Sequence, residues 1–360
     1  MHDFIIIGGG IAGISAAARL APLGRVLVLE AEDNLAYHAS GRSAAMFLQC
    51  YGNRCVRDLN EASADYLQNA HGGVLSPRAM LLLGAEGDAE AFAAQAAELE
   101  MRPLSLSEAA TLWPLLDTGH AAHAALRDDT SDLDTDLLIQ NFLRDARAHG
   151  AEVQTRARVT AITRTARGWR VEAGGQDHDC RVLVNAAGAW ADPVARMAGI
   201  APLGIQPHRR SMARIALPEG LDTAGWPFID GVNDSWYAKP DAGALIVSPG
   251  DQDPMEPHDA WADDMVLAEG LARYQAFSTA PVERMIANWA GLRSFAPDRT
   301  LVIGPDPQDT AFFWVAGQGG YGFQTAVAAS QLVGDLIAAR PPALPAAAVA
   351  ALSPARFAHG

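Results

Sequence analysis

A chain of 360 residues with 49% hydrophobic and 19% charged residues has apolar material for about two ordinary domains, which excludes disorder and collagen-like repeats. Its formal net charge of -15 repels phosphate backbones and anionic lipid surfaces, so nucleic acid is not an expected partner. Cys50, Cys55 and Cys180 show no CxxC or Cys/His spacing, which argues against a disulfide framework or a metal site and favours a reducing, cytoplasmic setting with buried thiols, a Cys50–Cys55 pair being the alternative.

Phe4-Ile-Ile-Ile7 reads as a buried parallel strand and Ile11 to Leu20 as the helix behind it, ended by Pro22 and Gly24. The same stretch imitates an export signal, but Asp3 precedes it and glycines interrupt it, so export is not expected. Arg25 to Glu30 is the second strand of a βαβ unit. Ala85 to Glu100 is helical in composition, and Asp134 or Thr135 caps a helix in which Leu138, Phe142 and Ala146 share a face. From Glu152 to Asn185 short strands, Val153–Arg158, Val159–Arg164, Trp169–Ala173 and Cys180–Asn185, read as a β-meander returning to a buried strand. Ser211 to Leu217, Trp236 to Lys239 and Leu245 to Ser248 suggest antiparallel sheet in a second domain, with Pro240 to Gly243 as a turn. Phe323 to Ala339 is the longest apolar run, but Gln324, Gln331 and Asp335 make it unsuited to a bilayer, so no membrane-spanning segment is expected. The Ala/Pro-rich tail from Pro341 is expected to wrap the surface.

Gly8-Gly-Gly10-Ile-Ala-Gly13 follows a strand and opens a helix, the arrangement of a dinucleotide cradle. Gly8 makes the tight turn, Gly10 lets backbone approach a pyrophosphate, and Gly13 permits close helix packing. Ile11 and Ala12 supply N–H groups at the helix start, and Glu30 ends the next strand where an acid accepts ribose hydroxyls. Two later segments suit the rest of a longer dinucleotide. Val182 to Trp190 is an apolar strand ending in small residues, including Ala187 and Gly188. Gly317-Gln-Gly-Gly-Tyr-Gly322, with Gln324 and Thr325 beyond it, lies between a strand and a helix whose N-terminus can face a flavin carbonyl.

These segments, together with Gly41-Arg-Ser-Ala-Ala45, Gln206-Pro-His-Arg-Arg-Ser211, Tyr237-Ala-Lys-Pro-Asp-Ala-Gly243, Trp289-Ala-Gly-Leu-Arg-Ser-Phe295 and Leu352-Ser-Pro-Ala-Arg356, make the chain resemble the D-amino-acid oxidase superfamily of FAD enzymes. Within it the bacterial D-arginine and D-amino-acid dehydrogenases are the nearest resemblance, over nearly the whole chain. The resemblance implies an α/β plus α+β fold, with a Rossmann-like FAD-binding domain from residues 1–75, 130–205 and 290–345. A substrate domain on a mixed or antiparallel sheet would come from 76–129 and 206–289, and 346–360 would form a tail. It also implies noncovalent FAD, oxidation of a D-amino acid by hydride transfer from Cα to flavin N5, hydrolysis of the imino acid to a 2-oxo acid, and an unidentified electron acceptor.

The resemblance assigns the substrate carboxylate to Arg293, Arg210 and Tyr237, although Arg209 and Arg214 compete with Arg210. Tyr51 stands over the site and Gly320 offers its carbonyl to the substrate amine. Further FAD contacts fall on Ala31, Gly41, Arg42, Ser43, Ala44, Ala45, Val159, Trp190, Gly319 and Tyr321. His38 matches a histidine that carries no flavin bond in the dehydrogenases. Two departures matter: Met80 replaces the acid that pairs a substrate guanidinium, and Met46 replaces a histidine. Thioethers favour apolar side chains over D-arginine, with Arg214 as a weaker candidate for an acidic side chain. The alternative activity is oxidation of secondary amines such as N-methyl amino acids.

Overall fold

The computed structural model describes residues 1–357, and the fold is built on two large sheets. In the first, Glu152–Gln154, Val26–Leu29, His2–Ile7, Gln176–Asn185 and Phe312–Ala316 lie side by side in parallel. Val302–Pro305 closes one side antiparallel, and the hairpin of Val159–Thr165 and Gly168–Ala173 pairs with the first half of Gln176–Asn185. Alternation along the strands divides two cores. Phe4, Ile6, Val26 and Val28 pack with the helices Ile11–Leu20 and Gly322–Ile337, whereas Ile5, Ile7, Leu27 and Leu29 pack with Trp169, Trp314 and Phe312. Burial on both faces explains the unbroken apolar run Phe4–Ile7.

The second sheet has eight strands and is antiparallel except where Phe228–Gly231 runs parallel to Met80–Ala85. One face carries Leu81, Leu83, Ala213, Ile215, Ile229 and Val247 into a core with Trp113, Trp236 and Tyr274. Along the same strands Met80, Arg210, Met212, Asp230 and Tyr237 alternate with those residues and line a cavity on the other face.

Several sequence expectations are adjusted by tertiary context. Pro240 lies inside the strand Tyr237–Asp241, and the turn is confined to Ala242 and Gly243, whose φ values of 45° and 78° close a two-residue hairpin. The helix Ala89–Glu98 is shorter than its composition suggested. Leu352, on a helix Ala346–Leu352 within the expected surface tail, is fully buried in the first core. The Leu-Leu-Leu run of Met80–Ala85 and the long Met285–Phe295 are strands that periodicity left unread, because neighbours distant in sequence bury the first on both faces and pair the second into the sheet. Cys50, Cys55 and Cys180 are buried free thiols. Among the described residues no helix is long and apolar enough to cross a membrane, and no His/Cys/Asp/Glu group has the makings of a metal site.

Candidate active site

A cavity of about 880 Å³ runs from the glycine cradle to the functional face of the second sheet. At its dinucleotide end Gly8 has φ +110°, and a Cβ on it would lie 2.4 Å from the Ala186 carbonyl oxygen. Gly13 does not reach the cavity; a Cβ there would lie 1.9 Å from the Gly8 carbonyl oxygen, so this glycine lets the helix seat against the loop. Glu30 is 8% exposed and accepts the N–H of Gly9 at 2.7 Å and of Glu32 at 2.9 Å, so it holds the cradle itself. Ser40, which sequence reasoning missed, accepts the Ile11 N–H at 3.0 Å and puts a hydroxyl at the helix start.

The other expected cofactor residues divide clearly. Gly10, Ile11, Ala12, Ala31, Arg42 to Ala45, Val159, Ala187, Gly188 and Trp190 line the cavity, as do Gly319, Gly320, Gly322 and Gln324. Gly41, Gly317, Tyr321 and Thr325 stand behind the lining. A Cβ on Gly41 would meet the Ala36 carbonyl oxygen at 2.3 Å, Tyr321 precedes the helix Gly322–Ile337, and the Thr325 hydroxyl donates to the Tyr321 carbonyl at 2.8 Å. Gln318 and Gln324, which line this region, each carry a buried amide nitrogen without a protein partner, which fits the acceptor-rich ring of a flavin. His38 also lines the cavity, 3.1 Å from Glu32 Oε1 and packed on Trp190 with ring centroids 4.7 Å apart.

At the far end the structure separates the competing arginines. Arg209 is paired with Asp251 at 3.0 Å and Asp253 at 2.6 Å, and Arg214 with Asp241 at 2.9 Å. Neither lines the cavity, so Arg214 is not placed to meet a substrate side chain. Arg210 does line it and is 3% exposed; its Nε donates to the Asp251 carbonyl at 2.9 Å, while one terminal nitrogen has no partner. Burial and the neighbouring Arg293 cation lower the pKa of Arg210 from its ordinary value. Arg293 is half-buried rather than enclosed, and its guanidinium stands 3.5 Å from where a Cβ on Gly320 would be. Tyr237, 5.7 Å beneath the Arg210 guanidinium, has a buried hydroxyl without a partner. Tyr51 packs 5.4 Å from Tyr321, and burial together with Asp234 raises its phenol pKa well above the usual value.

Met80 and Met46 both reach the cavity, and Met80 packs with Leu48, Leu99, Tyr51 and Phe228 as an apolar wall. The same cavity is lined by a polar set absent from the sequence reading: Asp230, Asp234, Gln95 and Glu98. Gln95 and Glu98 come from the helix Ala89–Glu98, none of whose residues is buried and whose Ala91, Ala94, Gln95 and Glu98 form one face over the cavity. The spacing of that face was available in the sequence, but nothing there told which sheet it would cover.

A family model described as FAD dependent oxidoreductase, DAO, matches residues 3–336. The chain belongs to this family. It is an FAD-dependent oxidoreductase. Hydrogen cyanide synthase subunit HcnC of Pseudomonas aeruginosa is 27% identical over 226 residues, covering 61% of this chain and about half, 51%, of that protein. Glycine oxidase of Bacillus licheniformis is 25% identical over 370 residues, covering 94% of each chain. The crystal structure of L-proline dehydrogenase from P. horikoshii superposes with a TM-score of 0.85 at 21% identity, covering 99% of this chain and 98% of that one, and shows the same fold. In this DAO chain the glycine cradle, Glu30 and the orphaned Gln318 and Gln324 nitrogens are the groups that fit FAD.

Proposed function

We propose that the protein oxidises free D-amino acids, in line with its resemblance to the D-amino-acid dehydrogenases. The observation that carries the amino-acid reading is the pair of guanidinium groups, Arg210 and Arg293, that meet in one cavity with no protein anion hydrogen-bonded to either terminus among the described residues, beside the free hydroxyl of Tyr237. A carboxylate accepts from both arginines and relieves their mutual repulsion. FAD supplies the two-electron acceptor. This chain's residues hold the substrate: Arg293, Arg210 and Tyr237 fix the carboxylate, the Gly320 carbonyl meets the amine, and Tyr51 closes over them. The wall of Met80, Phe228, Leu48 and Leu99 supports apolar side chains in preference to D-arginine. The hold of Glu32 and Trp190 on His38 supports FAD bound without a covalent link to that ring. Three buried thiols support a cytoplasmic setting.

The test is an anaerobic titration of the flavin-loaded protein with paired D- and L-amino acids, including sarcosine, followed by air. Bleaching by D-methionine or D-leucine ahead of D-arginine and of the L-forms is the expected result. Bleaching by L-amino acids alone removes the stereochemical assignment. Sarcosine as the best substrate, with formaldehyde and peroxide released, moves the activity to secondary amines.

A further inference from the structure

Asp230 has no part in the carboxylate clamp, yet it is 3% exposed and lines the same cavity. Its Cα is paired with that of Tyr237 across the antiparallel strands Phe228–Gly231 and Tyr237–Asp241. Opposed residues of such a pair leave the same face with Cβ atoms about 4.5–5.5 Å apart, so Asp230 stands a short side chain away from the clamp. Gln95 fixes its direction. The Asn233 N–H donates to Gln95 Oε1 at 2.7 Å, which turns the amide nitrogen toward Asp230, where it donates to Oδ2 at 3.0 Å. Oδ1 meets no protein donor among the described residues. The loop that completes this wall holds Asn233 at φ 62° and Asp234 at φ 51°, consecutive left-handed residues that only surrounding structure maintains.

We propose that Asp230 is a specificity-determining residue that takes the hydrogen-bond donor of a compact polar side chain, a hydroxyl, carboxamide or imidazole held close to Cα, in a pocket where Phe228 and Met80 lie beside it on the same sheet face. Burial and the charge of Asp234 push the Asp230 carboxyl above its ordinary range, against the opposing pull of Arg210 and of the Gln95 hydrogen bond, and its Oδ1 is left to pair with a substrate donor. Phe228, stacked on Tyr237 with centroids 5.2 Å apart, and Met80 leave apolar space around the stem.

This inference rests on the amino-acid reading, and one experiment separates their failures. The flavin-loaded enzyme, D230L, D230N and Q95L are reduced anaerobically with D-serine, D-asparagine and D-histidine and with D-methionine and D-lysine, and FAD content is read from absorbance. In D230L the efficiency of flavin reduction by D-serine, D-asparagine and D-histidine relative to D-methionine falls about tenfold, the worth of one hydrogen bond. D230N, which keeps a donor and an acceptor, retains most of the ratio, and Q95L, which leaves the carboxyl unfixed, loses part of it. Unchanged ratios, equal loss for every substrate, or D-lysine as the best substrate of the unmodified enzyme overturn the inference alone. No bleaching by any amino acid overturns the amino-acid reading and the inference with it.

Discussion

Arg210 and Arg293 are held at one end of a cavity where burial and the Arg293 charge lower the pKa of Arg210, and that tension is what a bound carboxylate removes. Replacing Arg293 by Met or Lys takes a planar fork from the carboxylate and leaves the substrate anion poorly paired, at a cost of about 2–5 kcal/mol. The expected outcome is a uniform fall in kcat/KM across amino acids of different side chain. A loss confined to one substrate would place Arg293 at the side-chain end instead. Asp230 yields a second expectation, in stability. Its carboxyl keeps its proton in the folded protein at pH values where an unfolded chain, with the ordinary value of 3.8, has released it. The folded state therefore binds more protons than the unfolded one above that value, and Asp230 erodes stability as pH rises. Asp230→Asn removes this dependence, so its Tm relative to the unmodified protein should climb as pH is raised from 4 toward neutrality; a flat difference would show that Asp230 is ionised in the fold.

At the scale of elements, the cradle depends on how closely the helix Ile11–Leu20 sits against the turn after His2–Ile7. A methyl group on Gly13 would lie 1.9 Å from a backbone oxygen, an overlap that no side-chain rotation relieves. Gly13→Ala is therefore expected to push the helix outward, with overpacking costing about 1–3 kcal/mol, and to lower FAD retention and Tm together. Full FAD content at an unchanged Tm would contradict this packing. Glycines, Glu30 and the helix start were legible in the sequence because they lie within one short βαβ unit whose geometry is local. The helix Ala89–Glu98 was legible as a helix but not as a cavity wall, since its exposed Ala-rich face acquires meaning only from the sheet strands it covers.

The whole molecule is tied across the cofactor channel by Arg42. From the loop after the cradle its side chain donates to the carbonyls of Ala260 at 2.8 Å and Ala290 at 2.9 Å and pairs with Asp259 at 2.5 Å, all on the side of the second sheet. Tyr37 adds a hydrogen bond to Asp259 at 3.3 Å. Arg42→Ala should loosen this strap, so that FAD dissociates faster in dilution experiments while excess FAD restores most of the thermal stability. Ligand at about 100 times its Kd contributes roughly 2.7 kcal/mol, enough for a readable Tm shift. An unchanged FAD dissociation rate would mean that the loop is held by its other contacts.

The sequence by itself determined the parallel sheet, the dinucleotide cradle and the family motifs, because each is carried by contiguous residues whose backbone needs are set locally: a buried apolar strand, a glycine turn, a helix start. Tertiary structure alone decided which of Arg209, Arg210 and Arg214 faces the cavity. The three lie within six positions of one strand, and their fates follow from Asp251, Asp253 and Asp241, which other segments bring to two of them. It also decided that Asp230 joins Tyr237 on the functional face, since that depends on the register of two paired strands and on Gln95 arriving from a helix 135 positions earlier. A one-residue slip in that register would turn Asp230 into the opposite core.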